Sequence, residues 1–139
     1  RTRKRLEALG ASGDDALIRF LPPFGFNDYV RLQRDCFCIL SDSGTITEEA
    51  SLLSLPAVML RDAHERPEGM DVGTLIMSGV GRAQVLDAIR VVTQQHDRTR
   101  RVFPVVPDYE TGPVLKQVVR IVLSYIDYVN RTVWRRGYV

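Results

Sequence analysis

The chain has 139 residues, of which 45% are hydrophobic and 26% charged, with a net charge of +2. That composition excludes a disordered chain and suffices for one domain burying about two thirds of its unfolded surface. So small a net charge argues against a nucleic-acid partner held by counterion release. The two locally basic runs, Arg1, Arg3, Lys4, Arg5 and Arg98, Arg100, Arg101, read as solvated surface.

No apolar stretch approaches the roughly 18 residues of a membrane span and no leader pattern opens the chain, so no membrane contact and a cytoplasmic setting are expected. The two cysteines, Cys36 and Cys38, stand two apart in an apolar run. On a strand they would share a face and could not bridge each other, and no second Cys or His pair accompanies them. Buried thiols in a reducing compartment are expected, and no metal.

In chain order, Thr2 to Leu9 reads as a helix with Leu6 and Leu9 on one face and Gly10 as its C-cap. Ala16 to Leu21 reads as a short strand closed by Pro22 and Pro23. Asn27 or Asp28 caps a helix carrying Tyr29, Val30 and Leu32. Cys36 to Leu40 is a continuous apolar run, the pattern of a strand buried on both faces of a parallel sheet. Ser41-Asp42-Ser43-Gly44 leads into a helix from about Ile46 to Leu53. Pro56 to Leu60 and Thr74 to Met77 are further strands. Arg82 to Gln95 is an amphipathic helix with Val85, Ile89 and Val92 at helical spacing. A Pro-rich connector from Phe103 to Pro107 leads to a long helix over residues 114–133.

Short apolar strands alternating with helices predict an α/β fold with a Rossmann-like parallel sheet. Ligands of such sheets bind beyond the carboxyl ends of the strands. That rule points to the turn from Pro22 to Asn27, the turn from Asp42 to Thr45, and the loop from Arg61 to Glu68.

The second of these is the sharpest local feature. A buried strand ends, Ser43 and Gly44 allow close backbone approach, and a helix begins. Its free N–H groups, its dipole and the hydroxyls of Ser43 and Thr45 would suit an anion. An ordinary cap is the equal alternative, with Asp42 or Ser43 accepting from the helix and Glu48 or Glu49 completing a capping box. The spacing is that of neither a Walker loop nor a dinucleotide fingerprint, so no nucleoside triphosphatase and no nicotinamide cofactor is indicated. In the loop from Arg61 to Glu68, Arg66 offers a second positive charge for a diphosphate. The alternative there is a surface ion pair with Glu65, Glu68 or Asp62. His64 and His96 read as surface or helix-end residues.

Ser41-Asp42-Ser43-Gly44-Thr45-Ile46-Thr47-Glu48-Glu49-Ala50, then Pro56-Ala57-Val58-Met59-Leu60-Arg61-Asp62 and Glu65-Arg66-Pro67-Glu68, resemble the UDP-N-acetylglucosamine 2-epimerases in both motifs and spacing. Tyr29-Val30-x-Leu32 is similar to that family's aromatic-Val-x-Leu helix start. The resemblance implies the C-terminal, UDP-binding domain of a two-domain glycosyltransferase-B fold, with an N-terminal domain that this chain lacks. It implies that Ser43, Gly44 and Thr45 hold the diphosphate, with Arg66 near the phosphates. Glu49 would lie at the ribose hydroxyls and Tyr29 against uracil or its ribose. It places no catalytic residue in this chain, since the family's acidic residues and the histidine of its His-Arg-x-x-Asn motif precede Arg1. A UDP-2-acetamido sugar as substrate, no added cofactor and a homodimer of the whole protein are further implications.

Thr45 and Thr47 stand where most members have Gly and Gln, and Asp108 to Pro113 replaces a Gly-x-Gly-x-Ala segment. Those departures resemble the branch that makes UDP-N-acetyl-L-fucosamine. Two alternatives of function stay open: a glycosyltransferase of the same architecture, and a non-catalytic nucleotide-sugar sensor.

Overall fold

A computed structural model of the chain describes residues 2–10, 16–64, 66–110 and 112–136. Arg1 of the basic N-terminal run, Glu65 as a partner for Arg66, and Thr111 of the segment before the last helix lie outside the described residues. The chain divides into two compact units, Arg1–Leu32 and Gln33–Val139.

In the first unit, helix α1 covers Thr2–Ala8 and ends as expected on Gly10, which takes the left-handed conformation at φ +67°. The expected strand over Ala16 to Leu21 does not form; these residues are turn or irregular, with Leu17 92% exposed. A strand exists only through a ladder with a neighbour, and the sheet of the described residues offers none to this segment. Helix α2, Phe26–Asp35, starts one residue before the expected caps. The Gly25 carbonyl accepts from the Tyr29 amide at 3.0 Å, so Gly25 is the capping residue and not Asn27 or Asp28.

The second unit is built on three parallel strands in the order β1 (Ile39–Ser41), β2 (Ala57–Met59) and β3 (Ile76–Met77). Ile39 pairs with Ala57, Ser41 with Met59, and Met59 with Met77. β2 lies in the middle and is wholly buried, as its unbroken apolar run requires. β1 corrects the expectation for Cys36 to Leu40. It begins three residues later, and Leu40 is 45% exposed, because β1 is an edge strand of this sheet. Cys36 closes α2 instead, its thiol donating to the Gln33 carbonyl at 3.1 Å, and both cysteines are free and only half-buried.

Helix α3, Ile46–Leu53, buries Ile46, Thr47, Ala50 and Ser51, one stripe at helical spacing. Ile46 and Ala50 pack with Ala57, Met59 and Leu75 to form the core. Val58, whose side chain takes the other face by strand alternation, is also fully buried, so both faces of β2 are covered. Helix α5, Arg82–Gln95, packs on β2 and β3 with Ala88 buried and Val85, Ile89 and Val92 half-buried beside it. Two short elements escape the sequence pattern: helix α4, Glu68–Asp71, and a 3-10 turn over Pro107–Tyr109. Helix α6, Val114–Thr132, is as long as expected and has no buried residue. Among the described residues no helix is long and apolar enough to cross a membrane.

Candidate functional site

β1 and β2 are adjacent and parallel, so the chain leaves both at the same edge of the sheet. After β1 it enters the turn Asp42 to Thr45; after β2 it enters the loop from Arg61 to Glu68. The expected convergence of these two segments is what the structure contains. The guanidinium of Arg66 reaches the carbonyl of Gly44, Nη1 to O 3.4 Å, and pairs through the same nitrogen with the carboxylate of Glu48 in the first turn of α3. Among the described residues its ion-pair partner is neither Asp62 nor Glu68, and Glu65 lies outside the described residues. A long flexible cation near the end of a loop finds the carboxylate that the sheet brings to it, whatever its neighbours in sequence.

The turn itself settles which helix donors are free. The amide of Ile46 is bonded to the Ser43 carbonyl at 3.3 Å, and that of Thr47 to the Gly44 carbonyl at 3.2 Å. These tight turns satisfy two of the first-turn N–H groups that the sequence pattern left open for an anion. The amides of Gly44 and Thr45 make no hydrogen bond among the described residues. No side-chain cap bond forms at Thr45, the residue preceding α3, and the Ser43 hydroxyl is bonded to that of Thr45, with no bond from Asp42 to the helix among the described residues. The Ser43 and Thr45 hydroxyls lie 2.9 Å apart, and Ser41 Oγ accepts from the Ser43 amide at 3.1 Å, which holds the turn's shape. Two amides, one hydroxyl proton left over by the bonded Ser43–Thr45 pair and a guanidinium therefore gather around the start of α3. All are donors and the helix N-terminus adds its partial positive charge, an arrangement suited to an anion with several oxygens.

Glu49 lies one residue beyond Glu48 on α3 and is half-buried. Its carboxylate accepts from the side-chain amide of Gln33, Nε2 to Oε2 2.5 Å. Gln33 is 5% exposed, and its own amide oxygen is buried without a hydrogen-bond partner among the described residues. Gln33 was not among the residues expected at the site, and Glu48, expected only as a possible capping-box residue, pairs with Arg66 instead. A signal for Gln33 was present: it follows Val30 by three residues, on the apolar stripe of an otherwise polar helix. Tyr29 belongs to the first unit, in α2, and is 40% exposed. His64 is exposed, and His96 is the C-cap of α5, as expected for both.

On the far side of Glu68, Tyr109 donates its hydroxyl to Glu68 Oε1 at 2.6 Å. That bond, helped by the Glu68 backbone and the charge of Arg66, holds the Glu68 carboxyl below its ordinary value. Partial burial and the same carboxylate push the Tyr109 phenol well up. Burial likewise pushes the Cys36 and Cys38 thiols up, which makes them poor nucleophiles.

The basic cluster at residues 98–101 is more than solvated surface. Arg98 donates to the Cys36 carbonyl at 2.9 Å, and Arg101 to the carbonyls of Ser51 and Leu52 at the end of α3. These contacts satisfy helix C-terminal acceptors and complement the negative end of the helix dipole. A cavity of about 430 Å³ opens beside them, lined by Arg34 and residues 96–101, away from the turn at Ser43. Among the described residues no group of three His, Cys, Asp or Glu side chains is placed to hold a metal ion.

The family model of UDP-N-acetylglucosamine 2-epimerase matches residues 1–123. The Methanocaldococcus jannaschii UDP-N-acetylglucosamine 2-epimerase is 30% identical over 131 residues, 92% of this chain and 34% of that protein. The Yersinia pestis enzyme of the same name is 35% identical over 108 residues, 75% of this chain and 28% of that protein. This chain thus spans about a third of the length of such relatives. A structure of UDP-N-acetylglucosamine 2-epimerase from Rickettsia bellii superposes with a TM-score of 0.90 at 61% identity, covering 98% of this chain and 37% of that one. The crystal structure of the Methanocaldococcus jannaschii UDP-GlcNAc 2-epimerase in complex with UDP-GlcNAc and UDP gives a TM-score of 0.76 at 28% identity, covering 89% and 33%. The α/β, glycosyltransferase-B-like fold expected from the sequence is the one these neighbours share. With the family model matching most of its length, the chain belongs to the UDP-N-acetylglucosamine 2-epimerase family.

Proposed function

We propose that this chain is the C-terminal, UDP-binding domain of a UDP-2-acetamido-sugar 2-epimerase, whose N-terminal domain supplies the acids and the histidine of the reaction. One observation carries the proposal: Arg66 converges on the Ser43 to Thr45 turn, where, among the described residues, the Gly44 and Thr45 amides and one hydroxyl of the bonded Ser43–Thr45 pair remain as donors. The diphosphate occupies that turn. Glu49 takes the ribose hydroxyls, and Tyr29 the uracil or its ribose. In the epimerase reaction UDP leaves C1, C2 is inverted at the glycal stage, and UDP adds back. The donors at the turn face the oxygen that gains charge as the C1–O bond breaks; loss of one such donor costs roughly 3 kcal/mol of barrier. No nicotinamide or metal takes part.

The whole protein acts as a homodimer in making sugar nucleotides for surface polysaccharides. A cytoplasmic setting goes with that role in sugar-nucleotide synthesis. Thr45, Thr47 and residues 108–113 favour the branch that makes UDP-N-acetyl-L-fucosamine from its talose epimer. Assay of the whole protein with both sugar nucleotides decides that point, and preference for UDP-N-acetylglucosamine would remove the branch assignment.

The direct test is calorimetry of the chain with UDP and with uridine at two salt concentrations. UDP binds more tightly than uridine, and raised salt weakens UDP more. Equal affinities, or no salt effect on UDP, would remove the diphosphate from the turn.

A further inference from the structure

Gln33 is a polar side chain at a packing position. It is 5% exposed between the exposed Leu32 and Arg34. A Leu or Met there would fill the space without burying a polar group. The glutamine instead buries an amide of which only one end is satisfied among the described residues: Nε2 donates to Glu49 Oε2, while Oε1 has no partner there. The orientation of the amide is fixed by chemistry. Turned over, it would set its oxygen against a carboxylate oxygen, two acceptors facing each other. Native proteins seldom bury an acceptor without a partner, and such a group lowers stability. Gln33 therefore weakens the fold at one atom in order to hold the Glu49 carboxylate at another.

We propose that Gln33 is a positioning residue for nucleotide recognition. It fixes the plane of the Glu49 carboxylate so that Glu49 discriminates a ribose diol from a deoxyribose. The inference rests on the assignment of Glu49 to the ribose made above. A carboxylate on a free side chain samples many rotamers, and a ligand must order it on binding; one already anchored by a charge-assisted hydrogen bond spares the ligand that ordering. The unsatisfied Oε1 is the trace of this arrangement, since packing alone would not select it.

The test compares the chain with its Gln33→Met and Glu49→Gln variants in thermal melts and in calorimetry with UDP and 2′-deoxy-UDP. Met keeps the length and removes both the donor and the orphaned acceptor. Gln33→Met is expected to melt at or above the unaltered chain, to bind UDP about ten-fold more weakly, and to lose part of the preference over 2′-deoxy-UDP. A structural residue would lower the melting temperature and leave the preference alone. If Gln33→Met keeps the original UDP affinity and preference while Glu49→Gln loses them, the role of Gln33 is overturned and the ribose assignment stands. If Glu49→Gln also keeps the preference, the ribose assignment falls and the role of Gln33 with it. Should Gln33→Met not fold, the side-chain amide signal of Gln33 in the unaltered chain decides by nitrogen NMR. It should shift on saturation with UDP and shift less with 2′-deoxy-UDP; a signal unmoved by both overturns the proposal.

Discussion

Thr47 and Gly69 interlock: a Cβ built on Gly69 would overlap the Cγ2 methyl of Thr47, and would also lie 3.3 Å from Thr74 Oγ1. Both residues are buried, one in the first turn of α3 and the other in α4. The Thr47 hydroxyl has no hydrogen-bond partner among the described residues, so what Thr47 brings to this contact is its shape. The contact ties the loop that carries Arg66 to the helix that Arg66 reaches. Gly69→Ala should therefore destabilise the chain by about 1–3 kcal/mol through overpacking. Thr47→Ser, which removes the methyl, should restore part of that loss in the double variant. Thermal or urea melts of the four chains check this, and strict additivity would refute the contact.

Arg66 spends Nη1 on Gly44 and Glu48, and its other nitrogens have no acceptor among the described residues. Arg66→Met keeps the stem and removes the charge. On the proposed function it should weaken UDP binding about ten-fold to a hundred-fold, the worth of a charge-assisted hydrogen bond. It should also flatten the salt dependence of UDP affinity while leaving uridine unchanged. Calorimetry at two salt concentrations reads both effects.

Glu49→Gln should weaken UDP binding by a similar factor, about ten-fold to a hundred-fold, while moving the melting temperature little. It should erase most of the preference for UDP over 2′-deoxy-UDP, because the deoxy ligand has already lost the hydroxyl in question. A variant that melts early and still discriminates the two nucleotides would make Glu49 a structural residue.

The Tyr109 hydroxyl bond to Glu68 has a pH signature. The Glu68 carboxyl is held below its ordinary value in the folded chain, chiefly by that bond. A depressed carboxyl contributes stability that is present above the unfolded pKa and is lost as pH falls through the folded pKa. Tyr109→Phe should raise the Glu68 pKa toward its ordinary value, and the stabilities of the two chains should converge as acid titrates Glu68. Carbon NMR titration of the Glu68 carboxyl measures the first effect and acid melts the second.

On the proposed domain assignment, the chain by itself should not interconvert UDP-2-acetamido sugars. Incubation with UDP-N-acetylglucosamine and separation of the sugar nucleotides should return only the starting compound. Turnover would overturn the assignment of the catalytic groups to another domain.

Several elements were legible in the sequence because their cause is local. Pro56 to Leu60 is apolar at every position, which only the middle of a covered sheet tolerates, and it became β2. Val85, Ile89 and Val92 mark α5 by spacing alone, and Gly10 closes α1 because left-handed backbone suits glycine. The Ser43 to Thr45 turn was legible for the same reason: a strand, small residues and a helix follow one another directly. Tertiary structure decided the rest, through partners far away in sequence. Ala16 to Leu21 has strand composition and no ladder, so it stays irregular. Cys36 to Leu40 gave way to an edge strand shifted toward Ser41, since register depends on Ala57 to Met59. Arg66 had three acids near it in sequence and met Glu48, because parallel pairing of β1 with β2 brings the two loops to one edge. Which helix amides stay free, and that Gln33 is buried against Glu49, depend on three-dimensional contacts of a few ångströms. Hydrophobic periodicity acts over a turn or a strand; hydrogen-bond partners of long side chains are chosen only once the sheet has assembled.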